Sequence, residues 1–330
     1  MGFENGIGSS RFLVTGGAGF IGSNIAEALL GLGCFVRVLD NCSTGKRENI
    51  SGLFDNRLFE FIEGDIRDIA TCQRACDGID YVLHQGALGS VPRSIEDPVT
   101  TNEVNIGGTL NMLIAARDKH VRRFIYASSS SVYGDESSLP KTEKKAGTPL
   151  SPYAISKKVN ELYAKNFFDL YGLKTIGLRY FNVFGRRQDP KSVYAAVIPL
   201  FIKNILAGRP SVIYGDGDQS RDFTYVDNVI QAHLKACLAG SEAWGEVFNI
   251  ACGERITIRH LYKKLCELLG RDIEPVYGPA RMGDVRHSNA DINKAAEVLK
   301  YQPEVDFERG LELTAKWYLN NLAEVQYEYI

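Results

Sequence analysis

Phe12-Leu13-Val14-Thr15-Gly16-Gly17-Ala18-Gly19-Phe20-Ile21-Gly22 is the stretch that decides how the chain folds. Phe12 to Thr15 is a short run of apolar and β-branched residues and reads as a buried strand. Gly16, Gly19 and Gly22 follow at GxxGxxG spacing, and Ile21, Ile25, Leu29 and Leu30 then fall at helical intervals. A strand, a glycine turn and a helix in that order build an anion site. The first glycine permits the tight turn. The second lets backbone N–H groups approach a pyrophosphate at the positive end of the helix dipole, and the third lets the helix lie close on the sheet. A second apolar run, Phe35 to Leu39, is closed by Asp40, 18 residues beyond Gly22. A carboxylate there can accept hydrogen bonds from adenosine ribose hydroxyls and would repel a 2′-phosphate, so the pattern predicts bound NAD rather than NADP.

Outward from this unit, strand-like runs recur at Leu58 to Ile62, Tyr81 to Leu83, Arg123 to Ala127 and Thr175 to Arg179, with helical patterns near 68–76, 104–118 and 153–171. Strands that alternate with helices and are apolar on both faces predict an α/β fold, a Rossmann-type doubly wound parallel sheet. Beyond about residue 180 the alternation loosens. Prolines at 190, 199, 210, 275, 279 and 303 interrupt it, and short strands (212–214, 246–249, 274–277) sit among helices near 194–207, 226–239, 257–269 and 307–320. This predicts a dinucleotide-binding domain over 1–180 and a smaller α+β substrate domain over 181–330, interleaved across a soft boundary.

The 330 residues carry 38 Lys plus Arg against 40 Asp plus Glu, a formal net charge of −2, which excludes a chain built mainly to bind nucleic acid or an acidic membrane. No run of 18 apolar residues lacks a charge, and the N-terminus has no signal-peptide pattern, so the expectation is a soluble cytoplasmic protein. The seven cysteines form no CxxC pair. Cys72 and Cys76 lie one helical turn apart without a histidine cluster, so reduced thiols and no metal site are expected. The five scattered histidines, His84 beside the cofactor loop included, read as structural.

Two further motifs carry chemistry. In Ser151-Pro152-Tyr153-Ala154-Ile155-Ser156-Lys157, Pro152 opens a helix, and Tyr153 and Lys157, four apart, share one face. A phenol titrates near 10, and a neighbouring ammonium together with the positive nicotinamide is expected to draw Tyr153 down towards neutral pH, where it can act as a base. Upstream, Ala127-Ser128-Ser129-Ser130-Ser131-Val132-Tyr133-Gly134 ends the fifth strand, and ligands of open α/β sheets bind at the carboxyl ends of strands. Asp65, in Gly64-Asp65-Ile66-Arg67, either reaches the adenine edge or caps the helix that follows.

The glycine turn, the serine run and the Tyr-x-x-x-Lys pair together resemble the extended short-chain dehydrogenase/reductase superfamily. Asn41-Cys42-Ser43-Thr44-Gly45, His84-Gln85-Gly86-Ala87, Arg179-Tyr180-Phe181-Asn182-Val183-Phe184-Gly185, Ser220-Arg221-Asp222-Phe223 and Arg281-Met282-Gly283-Asp284-Val285-Arg286 are similar to nucleotide-sugar 4-epimerases, and within these to the UDP-N-acetylglucosamine 4-epimerase group. Gly86 departs from the alanine expected there. The resemblance implies that Tyr153 takes the proton of the sugar 4-hydroxyl, assisted by Ser129 with Ser130 and Ser131 beside it, while hydride passes from carbon 4 to NAD. The resulting 4-keto sugar turns over and receives the hydride back on its other face, so NAD stays bound. Dehydratases and decarboxylases that share the fold carry acids in the strand-5 motif where this chain has serines.

The same resemblance implies cofactor contacts from Gly16, Gly19, Phe20, Ile21, Gly22, Asp40, Asn41, Ser43, Gly45, Asp65, Ile66, Gln85, Ala87, Tyr153, Lys157 and Val183. It implies substrate contacts from Gly89, Ser90, Ser129, Ser130, Tyr153, Asn182, Ala196, Val197, Tyr214, Arg221, Arg281, Asp284 and Ser288, with the two arginines on the diphosphate. By the same resemblance, position 288 gates the sugar pocket, where a large aromatic excludes an acetamido group, so serine there implies a preference for UDP-N-acetylhexosamines. A UDP-glucose or UDP-glucuronate 4-epimerase, and a non-catalytic nucleotide-sugar-binding regulator, are the alternatives. Helices 104–118 and 153–171 carry apolar stripes on more than one side, and the resemblance, in which the matching helices pair across a dimer, implies a homodimer.

Overall fold

The computed structural model describes residues 7–192, 196–280 and 286–321. Its centre is a parallel seven-stranded sheet made of β1 (Arg11–Thr15), β2 (Phe35–Asp40), β3 (Phe59–Glu63), β4 (Tyr81–His84), β5 (Arg123–Ser129), β6 (Thr175–Tyr180) and β7 (Glu246–Ile250). The spatial order is β7-β6-β5-β4-β1-β2-β3. The chain therefore reverses direction of growth between β1 and β4, and the carboxyl ends of those two strands part there to leave a crevice. This is the Rossmann-type α/β fold expected from the glycine turn.

Helices cover both faces because both faces are apolar. On one side α1 (Phe20–Gly31) brings Ile25 and Leu29, and α7 (Val226–Leu238) brings Val229 and Leu234, into the cluster around Phe12, Val14, Leu83 and Ile125. On the other side α2 (Ile69–Cys76), α4 (Gly108–Asp118) and α5 (Pro152–Tyr171) bury Cys72, Met112, Leu113 and Phe167 against Leu13, Val82 and Phe124. A second core joins α6 (Val197–Leu206), α8 (Ile258–Leu268) and α9 (Phe307–Asn320) through Phe201, Ile205, Leu261, Leu265 and Leu311. Two parallel strands, Val212–Tyr214 and Val276–Gly278, pair beside it.

Two elements differ from the sequence expectation in ways that shape the site. The strand read at 246–249 does not stay with the C-terminal region. It pairs in parallel with β6, Phe248 opposite Leu178, so the second half of the chain supplies both β7 and α7 to the central sheet. The helix read over 104–118 begins as a π turn, Glu103–Gly107, before α4. There the Asn105 side chain accepts from Leu88 N (2.8 Å) and donates to Ser156 Oγ (3.0 Å), tying the widened turn to the loop after β4 and to α5.

Candidate active site

The crevice at the strand reversal opens into a cleft of about 930 Å³, bordered by the glycine turn, the β2 end, the β4–α3 loop (α3, Val91–Glu96) and the N-terminal turns of α5. The glycines shape it by what they leave out. Gly16 sits at φ +64°, and a Cβ there would lie 2.8 Å from Gly86 N; a Cβ on Gly22 would lie 2.2 Å from Gly16 O. The turn is thus pressed between β4 and the start of α1, with the helix N-terminus facing the cleft. Asp40 is 8% exposed at the cleft wall and accepts from Ala18 N (2.9 Å) and Cys42 N (2.8 Å), which leaves each carboxylate oxygen a further lone pair. Burial raises its pKa and these bonds oppose the shift. A narrow glycine cradle at a helix N-terminus, with an acid at the second strand's end, fits a dinucleotide.

Of the residues assigned to the cofactor from sequence, Gly16, Gly19, Phe20, Ile21, Gly22, Asp40, Asn41, Ser43, Gly45, Asp65, Ile66, Gln85, Ala87, Tyr153 and Lys157 line this one cleft. Val183 does not; it is half buried between the two cores. Asp65 is not a helix cap, since Asp68 caps α2. Asp65 binds Arg67 (2.8 Å) and Asn41 Nδ2 (2.8 Å), and the Arg67 guanidinium holds its carboxyl down at about 2. Gly86 has its N–H on Thr15 Oγ1 at 3.1 Å; an alanine Cβ would stand 3.2 Å from that oxygen, so glycine relieves a tight contact. His84 is buried, hydrogen-bonded to Thr15 (2.7 Å) and Thr109 (3.0 Å), and burial holds its pKa down at about 3. It is a neutral structural residue here.

The reacting end is built by α5. Ser151 caps it by accepting from Ala154 N (3.1 Å), Pro152 occupies its first turn, and Gly172 ends it in the left-handed region at φ +69°. Tyr153 and Lys157 face the cleft one turn apart, with Lys157 Nζ 5.9 Å from the Tyr153 ring centroid and 2.8 Å from Ala127 O, which accepts its hydrogen bond. Ser129 begins a 3₁₀ turn over Ser130–Tyr133, and its hydroxyl favours the ionised form of the Tyr153 phenol. Ser131 donates to Ser129 Oγ at 2.9 Å, so of Ser129's two neighbours in the run it is Ser131 that joins the serine pair.

The titration of these groups departs from the sequence argument. Burial pushes the Tyr153 phenol up, with the Ser129 hydroxyl opposing it, and burial brings Lys157 down to about 8. The protein alone thus holds Tyr153 as a phenol. The downward pull expected from sequence is left to the positive ring of a bound cofactor.

A second, smaller pocket of about 220 Å³ is lined by Asn182, Val197, Tyr214 and Arg221, while Ala196, Gly89 and Ser90 line the main cleft. Asn182, at φ +34°, donates to Asp222 O at 3.1 Å, and Ser90 also caps α3 through Arg93 N (3.2 Å). Ser288 N bonds Ser220 O at 3.0 Å, one residue from Arg221. Arg281 and Asp284 lie outside the described residues. Lys46, a cation expected near Asp40, borders the main cleft, and the sequence reading missed Asn49, Arg187, Gln188 and Asp189, which border it too. Lys46 and Asp189, 3.0 Å apart, meet across it from segments that no local pattern connects.

The profile of the NAD-dependent epimerase/dehydratase family matches residues 12–251, a span that holds the glycine turn, the serine run and the Tyr-x-x-x-Lys pair. The chain belongs to this family. It is an enzyme, and NAD is its cofactor. Among solved structures, a UDP-N-acetylglucosamine 4-epimerase from Methanobrevibacter ruminantium, in complex with UDP-N-acetylmuramic acid, superposes with a TM-score of 0.91 at 40% identity, covering 96% of this chain and all of that one. A UDP-glucose 4-epimerase from Thermotoga maritima, solved with UDP-glucose, gives 0.89 at 41% identity over 94% of this chain and 99% of that one. A UDP-glucuronate 4-epimerase from Thermodesulfobacterium geofontis is 35% identical over 321 residues, 94% of this chain and 97% of the relative.

Proposed function

We propose that this family member interconverts UDP-N-acetylglucosamine and UDP-N-acetylgalactosamine by epimerisation at sugar carbon 4. The observation that carries the reading is Tyr153 and Lys157 at the wall of the cofactor cleft, with Ser129 acting on the Tyr153 phenol, together with a second pocket that holds a guanidinium and an amide for a nucleoside diphosphate. Bound NAD would supply a hydride acceptor for sugar carbon 4 and the donor that restores it. Gly16, Gly19 and Gly22 with the α1 N-terminus would hold its pyrophosphate, and Asp40 its adenosine ribose. Tyr153 removes the proton of the 4-hydroxyl and gives it back. Ser129 holds that hydroxyl, and Lys157, fixed on Ala127 O, keeps positive charge behind the phenolate. Arg221 and Asn182 anchor the diphosphate so that the sugar alone is free to turn.

Serine at 288 supports an acetamido sugar, as does the similarity to a UDP-N-acetylglucosamine 4-epimerase; the similarity to UDP-glucose and UDP-glucuronate epimerases defines the competing substrates. Measured kcat/KM on the three nucleotide sugars separates them. The acetamido substrate is expected to lead, and a lead for glucose or glucuronate would reassign the specificity. We also infer a homodimer formed through the exposed apolar residues of α5, Ile155, Leu162 and Leu170, with Val99 beside them.

A further inference from the structure

Three residues of α5 stand four apart on one face, and only two of them are accounted for by the chemistry above. Tyr153 has the Ser129 hydroxyl acting on its phenol, and Lys157 donates to Ala127 O at 2.8 Å. The third, Glu161, is 6% exposed and lies one turn further from the cleft. Its Oε1 accepts from Ser128 Oγ at 2.6 Å and from Arg179 Nε at 2.7 Å, and its Oε2 accepts from Arg179 Nη2 at 2.8 Å. Arg179, 1% exposed on β6, stands directly opposite Ser128 in the β5–β6 register. It also donates through Nη1 to the Tyr133 hydroxyl at 3.1 Å, and that hydroxyl donates to Asn249 Oδ1 on β7 at 2.6 Å.

The pair therefore grips the serine segment at both ends. Glu161 holds Ser128, the residue before Ser129, and Arg179 holds Tyr133, where the 3₁₀ turn that starts at Ser129 ends. A buried ion pair is a poor source of net stability, because desolvating two charges consumes most of their attraction, and apolar side chains of similar size usually serve as well. What an apolar pair cannot supply is direction. Two planar groups in fork-to-fork contact fix α5, β5 and β6 against one another at one register. Resting on the 4-epimerase reading of Ser129 and Tyr153, the geometry points to Glu161 and Arg179 as positioning residues that hold Ser129 in place against Tyr153 by clamping Ser128 and Tyr133. Neither touches substrate or cofactor. They act through the two residues they hold.

The test uses the NAD-loaded protein and two kinds of change. Glu161→Leu combined with Arg179→Met replaces the charges by apolar volume. Ser128→Ala combined with Tyr133→Phe leaves the ion pair in place and cuts its two links, so that a folded protein is in hand even if the first combination fails to fold. A misplaced reacting group costs rate rather than anchoring, so each folded combination is expected to lose about tenfold or more in kcat with KM changed less than about twofold. The two combinations together should lose no more than the worse alone. A second readout needs no sugar: the Tyr153 phenol, isolated by subtracting the ultraviolet titration of Tyr153→Phe in each background, should ionise at higher pH once the clamp is cut. Wild-type kcat in either folded combination, or an unmoved phenol, would overturn the positioning role. A wild-type protein silent on every UDP-sugar would instead sink the epimerase reading, and the phenol titration would still decide the clamp.

Discussion

Lys157 shows the conflict between stability and chemistry at the scale of one residue. It is 4% exposed, and burial takes its ammonium from 10.5 in the open chain to about 8. Because the folded value lies below the unfolded one, the unfolded chain binds more protons between those limits, and stability rises with pH across that window. Below about pH 8 the full penalty applies, roughly 3 kcal/mol from a depression of this size. Lys157→Met should therefore raise the melting temperature of NAD-free protein at pH 7 by a few degrees while removing nearly all turnover. Scanning calorimetry and an activity assay check both halves, and an unchanged or lower melting temperature would count against it. Tyr153→Phe is expected to lose most turnover and keep its NAD, read from the absorbance of the denatured protein. The phenol itself should ionise above pH 10 without cofactor and lower with it, so activity falls as pH drops through the cofactor-bound value. At the substrate end, Ser288→Tyr should abolish the acetamido reaction selectively, and equal losses on UDP-glucose would argue against a gate at that position.

At the scale of elements, the glycine turn and α5 were legible because their signals are local. Three glycines at fixed offsets between a strand and a helix leave one arrangement, and the structure packs them so closely that Gly22→Ala would drive a Cβ to 2.2 Å from Gly16 O. That variant should purify with little NAD and a lowered melting temperature; wild-type NAD content would contradict the close approach. β7 could be read as a strand but not placed, since its partner β6 lies some seventy residues earlier and an apolar five-residue run carries no record of its neighbour. The Glu161–Arg179 pair was hidden for a related reason. A glutamate in a helix reads as surface, and only its place four residues after Lys157, on the face that already held Tyr153, marked it as turned inward.

For the whole molecule, the cleft is assembled from segments far apart in sequence, and this is where the sequence reading thinned. Lys46 on the loop after β2 meets Asp189 of the segment that follows β6, and Arg187 reaches back to Glu27 on α1 at 2.7 Å. Such pairings depend on how the two cores sit together, which composition and periodicity do not encode. The apolar face of α5 belongs to the same scale: Leu162 is 60% exposed and Leu170 65%, and with Ile155 they form the face that the proposed homodimer would cover. Leu162→Glu should convert a dimer to a monomer in sedimentation velocity, and a wild-type protein already monomeric at micromolar concentration would refute that interface.

On the proposed function, the folded chain, carrying its own NAD, inverts carbon 4 of a UDP-N-acetylhexosamine. The most direct measurement incubates the purified protein with UDP-N-acetylglucosamine, adds no NAD, and follows the anomeric protons by NMR. The UDP-N-acetylgalactosamine signal is expected to appear and settle at a constant ratio. No new signal, even after NAD is supplied, would contradict the proposed function.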